Sequence, residues 1–113
     1  MAIIWSREAD EILRQGYYLG ELGVSNWGLT EYQALAAFER FLTLKIPILG
    51  GDVYETVNGN IQPNYDSWYC NQLQGEVKDD FVVRSIGVSE SYIRNYDKST
   101  VESVLFILVP GTQ

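Results

Sequence analysis

The sequence predicts an α+β fold in which a small antiparallel sheet, made of a hairpin plus a C-terminal strand, packs with about three helices. Three observations predict it. Two early segments carry apolar residues at helical spacing, an Asn-Gly pair joins two strand-like segments, and the last apolar segment is rich in β-branched residues. The 113 residues suffice for one domain and are too few for two, so we expect a single domain over residues 1–113.

The first helix is predicted to begin after Ser6. Serine is a preferred N-cap, and acidic residues followed by periodic apolar residues continue to Tyr17. The glycines at Gly20 and Gly23 then predict a loop.

A second helix is predicted to open at Thr30. Thr30 and Gln33 have the spacing of a capping box, in which each side chain accepts a hydrogen bond from the other residue's backbone amide. An apolar stripe that includes Leu35 and Phe38 follows, and Pro47 ends the helical region.

A β-hairpin is predicted next. Residues 48–57 have strand composition, and Asn58-Gly59 favours a type I′ turn, because both central residues of that turn need positive φ. The second strand is predicted over residues 65–73, with Pro63 confined to its start or to a sheet edge. The pattern does not determine the register of the two strands.

Residues 78–96 allow two interpretations. Apolar residues lie on one helical face, although Gly87 costs about 1 kcal/mol relative to alanine in a helix. The alternative is a strand over residues 81–86 with Ser89 capping a shorter helix; we interpret the segment as a helix. Residues 101–109 then predict a strand that is apolar on both faces, as expected of a central strand.

Two further predictions concern the first strand of the hairpin. Gly50 and Gly51 are expected to mark a bend or the close approach of another backbone, because glycine otherwise weakens a strand. Asp52 follows them, and we expect its carboxylate to accept hydrogen bonds from a nearby loop amide or from Arg84.

The charge balance is acidic, with a net charge of −7. The excess is concentrated in residues 46–77, which contain four acidic residues and no lysine or arginine. An acidic surface repels phosphates, so direct binding to nucleic acid or to a membrane is not expected, whereas a basic protein partner is favoured. The alternative is that the charge only maintains solubility.

The sequence lacks the residues that several kinds of catalytic site require. The chain has no histidine and a single cysteine, Cys70, so neither a zinc site nor a Cys-His nucleophile can form. Asp79 and Asp80 are explained as acidic residues at a helix N-terminus. We therefore expect no enzyme activity, cofactor or metal. The single cysteine and the absence of a signal-peptide pattern predict a cytoplasmic protein.

The segment from Gly50 to Asn71 combines acidic and aromatic residues without a base. Tyrosine and tryptophan dominate interface hot spots, and neighbouring acids attract a basic partner. The alternative is that strands favour aromatics and that alternation turns half of them inward, as we expect for Trp68. The candidate partner-binding residues are Asp52, Tyr54, Glu55, Tyr65, Asp66 and Tyr69.

Five segments follow one another along nearly the whole chain: Gly23-Val24-Ser25-Asn26-Trp27-Gly28-Leu29, Gly50-Gly51-Asp52-Val53-Tyr54, Asn64-Tyr65-Asp66-Ser67-Trp68-Tyr69, Arg84-Ser85 and Tyr92-Ile93-Arg94-Asn95-Tyr96. In this order they resemble the immunity protein 40 family of bacterial polymorphic toxin systems. It implies a cytoplasmic antitoxin of α+β fold that occludes a toxin domain encoded beside it. It identifies neither the toxin nor any catalytic residue.

Acidity suggests a nuclease as the toxin, because an acidic inhibitor can occupy a basic groove as a phosphate mimic. Two other functions stay open on the sequence. One is a sensor domain whose aromatic residues line a small-molecule pocket, and the other is a hydrolase that uses Asp52 and Asp66.

Overall fold

The fold, taken from a computed structural model that describes residues 2–113, has three α-helices and five strands in those residues. The helices are α1 (Arg7–Leu13), α2 (Glu31–Thr43) and α3 (Lys78–Asn95). The strands are β1 (Tyr17–Tyr18), β2 (Trp27–Leu29), β3 (Ile48–Val57), β4 (Asn60–Tyr69) and β5 (Ser103–Pro110), with a short 3₁₀ helix at Gly20–Leu22. The predicted α+β class is confirmed.

The five strands form one antiparallel sheet in the order β1-β2-β5-β3-β4. All three helices pack against one face of it, since α1, α2 and α3 all contribute to the same buried cluster as Trp27, Val53, Trp68 and Phe106. We call the opposite face the outer face. It is formed by the alternate strand residues, among them Asp52, Tyr54, Ser67, Tyr69 and Ile107.

The predicted helix starts are confirmed, but the predicted extent of the first helix is wrong, because α1 ends at Leu13 and Tyr17 lies in β1. The Ser6 hydroxyl accepts a 3.1 Å hydrogen bond from the Ala9 amide, and Thr30 and Gln33 form both bonds of a capping box. The segment from Lys78 to Asn95 is one continuous helix, so the alternative of a strand over residues 81–86 is wrong. Gly87 is exposed in this helix, and a Cβ added there would meet no atom within 4 Å.

The hairpin has the predicted turn but different strand bounds. Asn58 and Gly59 have φ of 52° and 79°, as a type I′ turn requires, and pairing resumes at once between Val57 and Asn60. The predicted bounds of residues 65–73 are therefore wrong, because a two-residue turn starts the second strand at Asn60. Pro63 lies in β4, an edge strand, as expected.

Two short strands were not predicted. β1 and β2 have two and three residues, too few to show an alternating pattern, and the glycines around them predicted only a loop. The Asn26 side chain joins this region to the sheet, because its amide donates a 2.9 Å bond to the Leu108 carbonyl oxygen.

The expectation for Gly50 and Gly51 is confirmed. Gly50 has φ of +151°, and a Cβ on it would collide with the backbone of Trp68 and Tyr69. A Cβ on Gly51 would collide with the Ile107 carbonyl oxygen and the Trp68 ring. The pairing with β5 also shifts register between Ile48 and Gly50. Close backbone approach therefore explains why both positions are glycine.

Candidate partner-binding surface

The hairpin contains a bulge in β4. Asp52 pairs with Ser67 and Tyr54 pairs with Pro63, so the single residue Val53 lies opposite three residues, 64–66. Tyr65 lies at the middle of the bulge with φ of 69°, in the left-handed region. A non-glycine residue there costs roughly 1–2 kcal/mol, and bulges of this kind redirect a side chain.

A ring of hydrogen bonds holds the bulge. The Asn64 side-chain oxygen accepts a 2.9 Å bond from the Asp66 amide, and the Asn64 side-chain nitrogen donates a 2.7 Å bond to the Tyr96 hydroxyl. The Tyr96 hydroxyl in turn donates a 2.6 Å bond to the Asp66 carboxylate. Burial and the bond to Asp66 raise the pKa of Tyr96 to about 12, so the hydroxyl remains a donor. The bulge is thus fixed to the end of α3.

The bulge exposes Tyr65. Its side chain is 88% exposed and that of Tyr69 is 77% exposed, whereas Trp68 between them is buried, as predicted. The Trp68 indole stacks on Tyr92, with 4.6 Å between ring centroids, and donates a 2.9 Å bond to the Ser89 hydroxyl. One tryptophan therefore holds β4 against α3 while the two tyrosines remain exposed to solvent.

The expectation that a loop amide or Arg84 donates hydrogen bonds to the Asp52 carboxylate is wrong. Asp52 is exposed on the outer face, and its carboxylate accepts no hydrogen bond from residues 2–113. Arg84 instead donates 2.7 Å bonds to both carboxylate oxygens of Glu76 and to the Asn71 carbonyl oxygen. Arg84 is on α3, on the other side of the sheet from Asp52, so Glu76 in the loop before α3 is within its reach.

Tyr54 lies near both Asp52 and Tyr65. Burial raises the pKa of the half-buried Tyr54, and the nearby charge of Asp52 and the hydroxyl of Tyr65 raise it further. Asp52 and Tyr54 are alternate residues of β3 on the outer face. The structure therefore brings an acidic residue and two tyrosines together on this face.

The other two predicted acids lie on the helix side. Glu55 is within 3.5 Å of the Asn64 side-chain nitrogen, and Asp66 is bound to Tyr96. The Asp52 and Asp66 carboxylates thus turn to opposite faces of the sheet, an arrangement that gives the hydrolase alternative no shared cleft. Sequence reasoning missed the structural role of Asn64 and Tyr96; the Asn64-x-Asp66 spacing of an Asx turn was the available local signal.

No group of three or more histidine, cysteine or acidic side chains within residues 2–113 is arranged to hold a metal ion. The larger surface grooves lie away from Asp52. One of about 530 Å³ runs between α2 and α3, lined by Tyr32, Leu35, Ala36, Arg94 and three glutamates. None of the helices in the described part of the chain is both long and apolar enough to span a bilayer.

Comparison with known proteins gives one family. The family model described as Immunity protein 40 matches residues 18–110. The match runs from the second residue of β1 to the last residue of β5, so it includes four complete strands, α2 and α3. No curated protein and no solved structure matches the chain.

Proposed function

Because the chain belongs to the immunity protein 40 family, we propose that it is an antitoxin that binds a cognate bacterial toxin domain and neutralises it by occlusion. It acts without catalysis of its own, in the cytoplasm of the cell that it protects. The observation that carries this proposal for the molecule itself is Tyr65, an almost fully exposed aromatic residue held in a strained backbone conformation. Such strain is often stored at functional sites.

The exposed part of the β3–β4 hairpin is the proposed contact surface. It presents Tyr65, Tyr69, Tyr54 and Asp52 from a rigid sheet, and tyrosines offer large contact area at low entropic cost. Asp66 and Glu55 support this surface from the helix side, where Asp66 fixes the bulge through Tyr96. The six residues thus divide into four that meet the toxin and two that position them.

A nuclease is the proposed class of toxin. The net charge of the antitoxin is −7, and residues 46–77 have four acidic residues and no base. A nuclease active site is basic because it binds phosphates, so the two surfaces are complementary. The sensor alternative has less support, because the groove between α2 and α3 is open to solvent and is lined by three glutamates.

Co-expression with the toxin domain encoded by the adjacent gene tests the proposal. Cells that express both proteins are expected to survive, and Tyr65→Ala is expected to weaken binding by about 2 kcal/mol or more, roughly 30-fold in Kd. Tyr32→Ala is the matched control, because Tyr32 is also exposed, at 74%, but lies on α2. Survival no better than with an empty vector, while the protein is folded, would remove the assignment.

Salt dependence tests the electrostatic part separately. Exposed charges are screened over about 8–10 Å near physiological ionic strength, so association is expected to slow as salt rises. Stopped-flow association rates at several salt concentrations measure this. Protection with a salt-independent association rate would retain the antitoxin role and reject the basic-groove account.

A further inference from the structure

The strands carry few charges. Across all five strands the formally charged residues are Asp52, Glu55 and Asp66, and all three are acidic. Asp66 accepts a hydrogen bond from Tyr96, and Glu55 lies within hydrogen-bond distance of Asn64. Asp52 differs from both, because nothing in residues 2–113 donates to its carboxylate. It is also the one charged strand residue on the outer face.

The surroundings of Asp52 are apolar and aromatic. Its partners in the neighbouring strands are Ser67 on β4 and Ile107 on β5, and Ile107 is buried. Tyr54 lies two residues further along β3, and its raised pKa reflects the proximity of both Asp52 and Tyr65. A single carboxylate therefore lies on β3, inside the sheet, on the same face as Tyr54, and Tyr54 in turn lies near Tyr65.

A partner that covers this face must neutralise Asp52. Removing a carboxylate from water without a counter-charge is strongly unfavourable. A second copy of this chain cannot supply the counter-charge from the same face, because the strands contain no lysine or arginine. A symmetric dimer through this face would therefore leave Asp52 unpaired, which favours a cation from a different protein.

We propose that Asp52 receives an arginine side chain of the toxin domain and that Tyr54 and Tyr65 pack against its guanidinium group. Arginine suits this site better than lysine, because its planar guanidinium pairs with a carboxylate in two parallel bonds and also stacks on aromatic faces. This inference rests on the proposed antitoxin function and adds the chemistry of the contact. Asp52 becomes the central charged residue of the interface, and Tyr54 and Tyr65 exclude water from the ion pair.

The test measures binding of purified toxin domain to full-length variants. Asp52→Asn is expected to weaken binding by about 30-fold or more, mainly through faster dissociation, because the toxin arginine is then left without a partner. Glu11→Gln on α1 is the matched control, since Glu11 is an exposed acid on the helix layer, which covers the other face of the sheet. It is expected to change Kd by less than about threefold, because exposed distant charges are screened.

A charge swap identifies the partner residue. Asp52→Lys is expected to abolish protection, and changing one toxin arginine to glutamate is expected to restore binding to that variant alone. The inference is overturned if Asp52→Asn binds as tightly as the wild type, or if no arginine-to-glutamate change in the toxin restores binding to Asp52→Lys. In either case, protection by the wild type still retains the proposed function. Sedimentation showing a dimer that Asp52→Lys dissociates also overturns it. Failure of the wild type to protect removes the proposed function itself.

Discussion

The hydroxyl of Tyr96, in the residue that follows α3, donates a 2.6 Å hydrogen bond to the carboxylate of Asp66, thirty residues earlier in the bulge of β4. The same hydroxyl accepts a 2.7 Å bond from the Asn64 side chain. One phenol thus joins both ends of the bulge to the helix layer. The conformation of Tyr65 depends on a contact that is distant in sequence.

Tyr96→Phe removes both bonds and keeps the ring against Phe106. We expect the free energy of unfolding to fall by about 1–2 kcal/mol, because one of the lost bonds is to a charged group. Urea denaturation measures this. Tyr92→Phe is the control, because the Tyr92 hydroxyl makes no hydrogen bond with residues 2–113; equal losses in the two variants would contradict the role given to Tyr96.

Tyr65→Gly separates stability from binding. Glycine adopts positive φ without steric cost, so this variant is expected to be about 1 kcal/mol more stable than Tyr65→Ala in thermal or urea unfolding. Both variants are expected to bind the toxin equally poorly, because both lack the ring. A Tyr65→Gly variant no more stable than Tyr65→Ala would show that the bulge carries no strain at Tyr65.

Ser89→Ala is expected to destabilise the fold by about 1–3 kcal/mol, because the buried Trp68 indole then loses its acceptor. Ser91→Ala, at an exposed position two residues away on the same helix, is expected to change stability by less than about 0.5 kcal/mol. Chemical denaturation of the two variants provides the comparison. Near-wild-type stability of Ser89→Ala would mean that the indole bond contributes nothing.

Glu76 predicts a pH dependence of stability. Its bonds from Arg84 and from the Leu73 amide lower the pKa of Glu76 to about 2, below the ordinary value of 4.5. The unfolded chain therefore takes up this proton first as pH falls. The stabilisation is complete above pH 4.5 and is lost progressively as pH falls toward 2.

Glu76→Gln tests this assignment. The difference in unfolding free energy between wild type and variant is expected to shrink as pH falls from about 5 to 3. Denaturation curves at fixed pH steps measure it. A difference that stays constant over this range would assign the lost stability to packing or neutral hydrogen bonds and not to the carboxylate charge.

Local signals were sufficient for part of the fold. Thr30 and Gln33 predicted the start of α2, and Asn58-Gly59 predicted the hairpin turn, because in each case neighbouring residues alone satisfy the geometry. The bulge at Tyr65 could not be predicted, because the hydrogen bonds that hold it come from Tyr96. This residue follows the C-terminus of α3 and is about thirty residues away in the sequence. The strand β2 was missed because its three residues are all buried and therefore show no alternation of apolar and polar side chains.

The candidate surface was predicted in composition and not in arrangement. The absence of bases among acids and tyrosines in residues 46–77 was visible in the sequence. An acidic side chain remains available to a partner only if no hydrogen-bond donor of the chain itself binds it. Arg84 was expected to donate to Asp52. It donates instead to Glu76, which lies on the same side of the sheet as Arg84. Such competition is decided by the packing of α3, which residue patterns do not specify.

The bulge also has a consequence for the behaviour of the protein at high concentration. β4 is an edge strand ten residues long, and a straight exposed edge of that length is a template for pairing with other chains. Pro63 removes one amide donor from it, and residues 64–66 break the regular spacing of the others. The feature that presents Tyr65 therefore also makes this edge a poorer template for pairing with the strands of other chains.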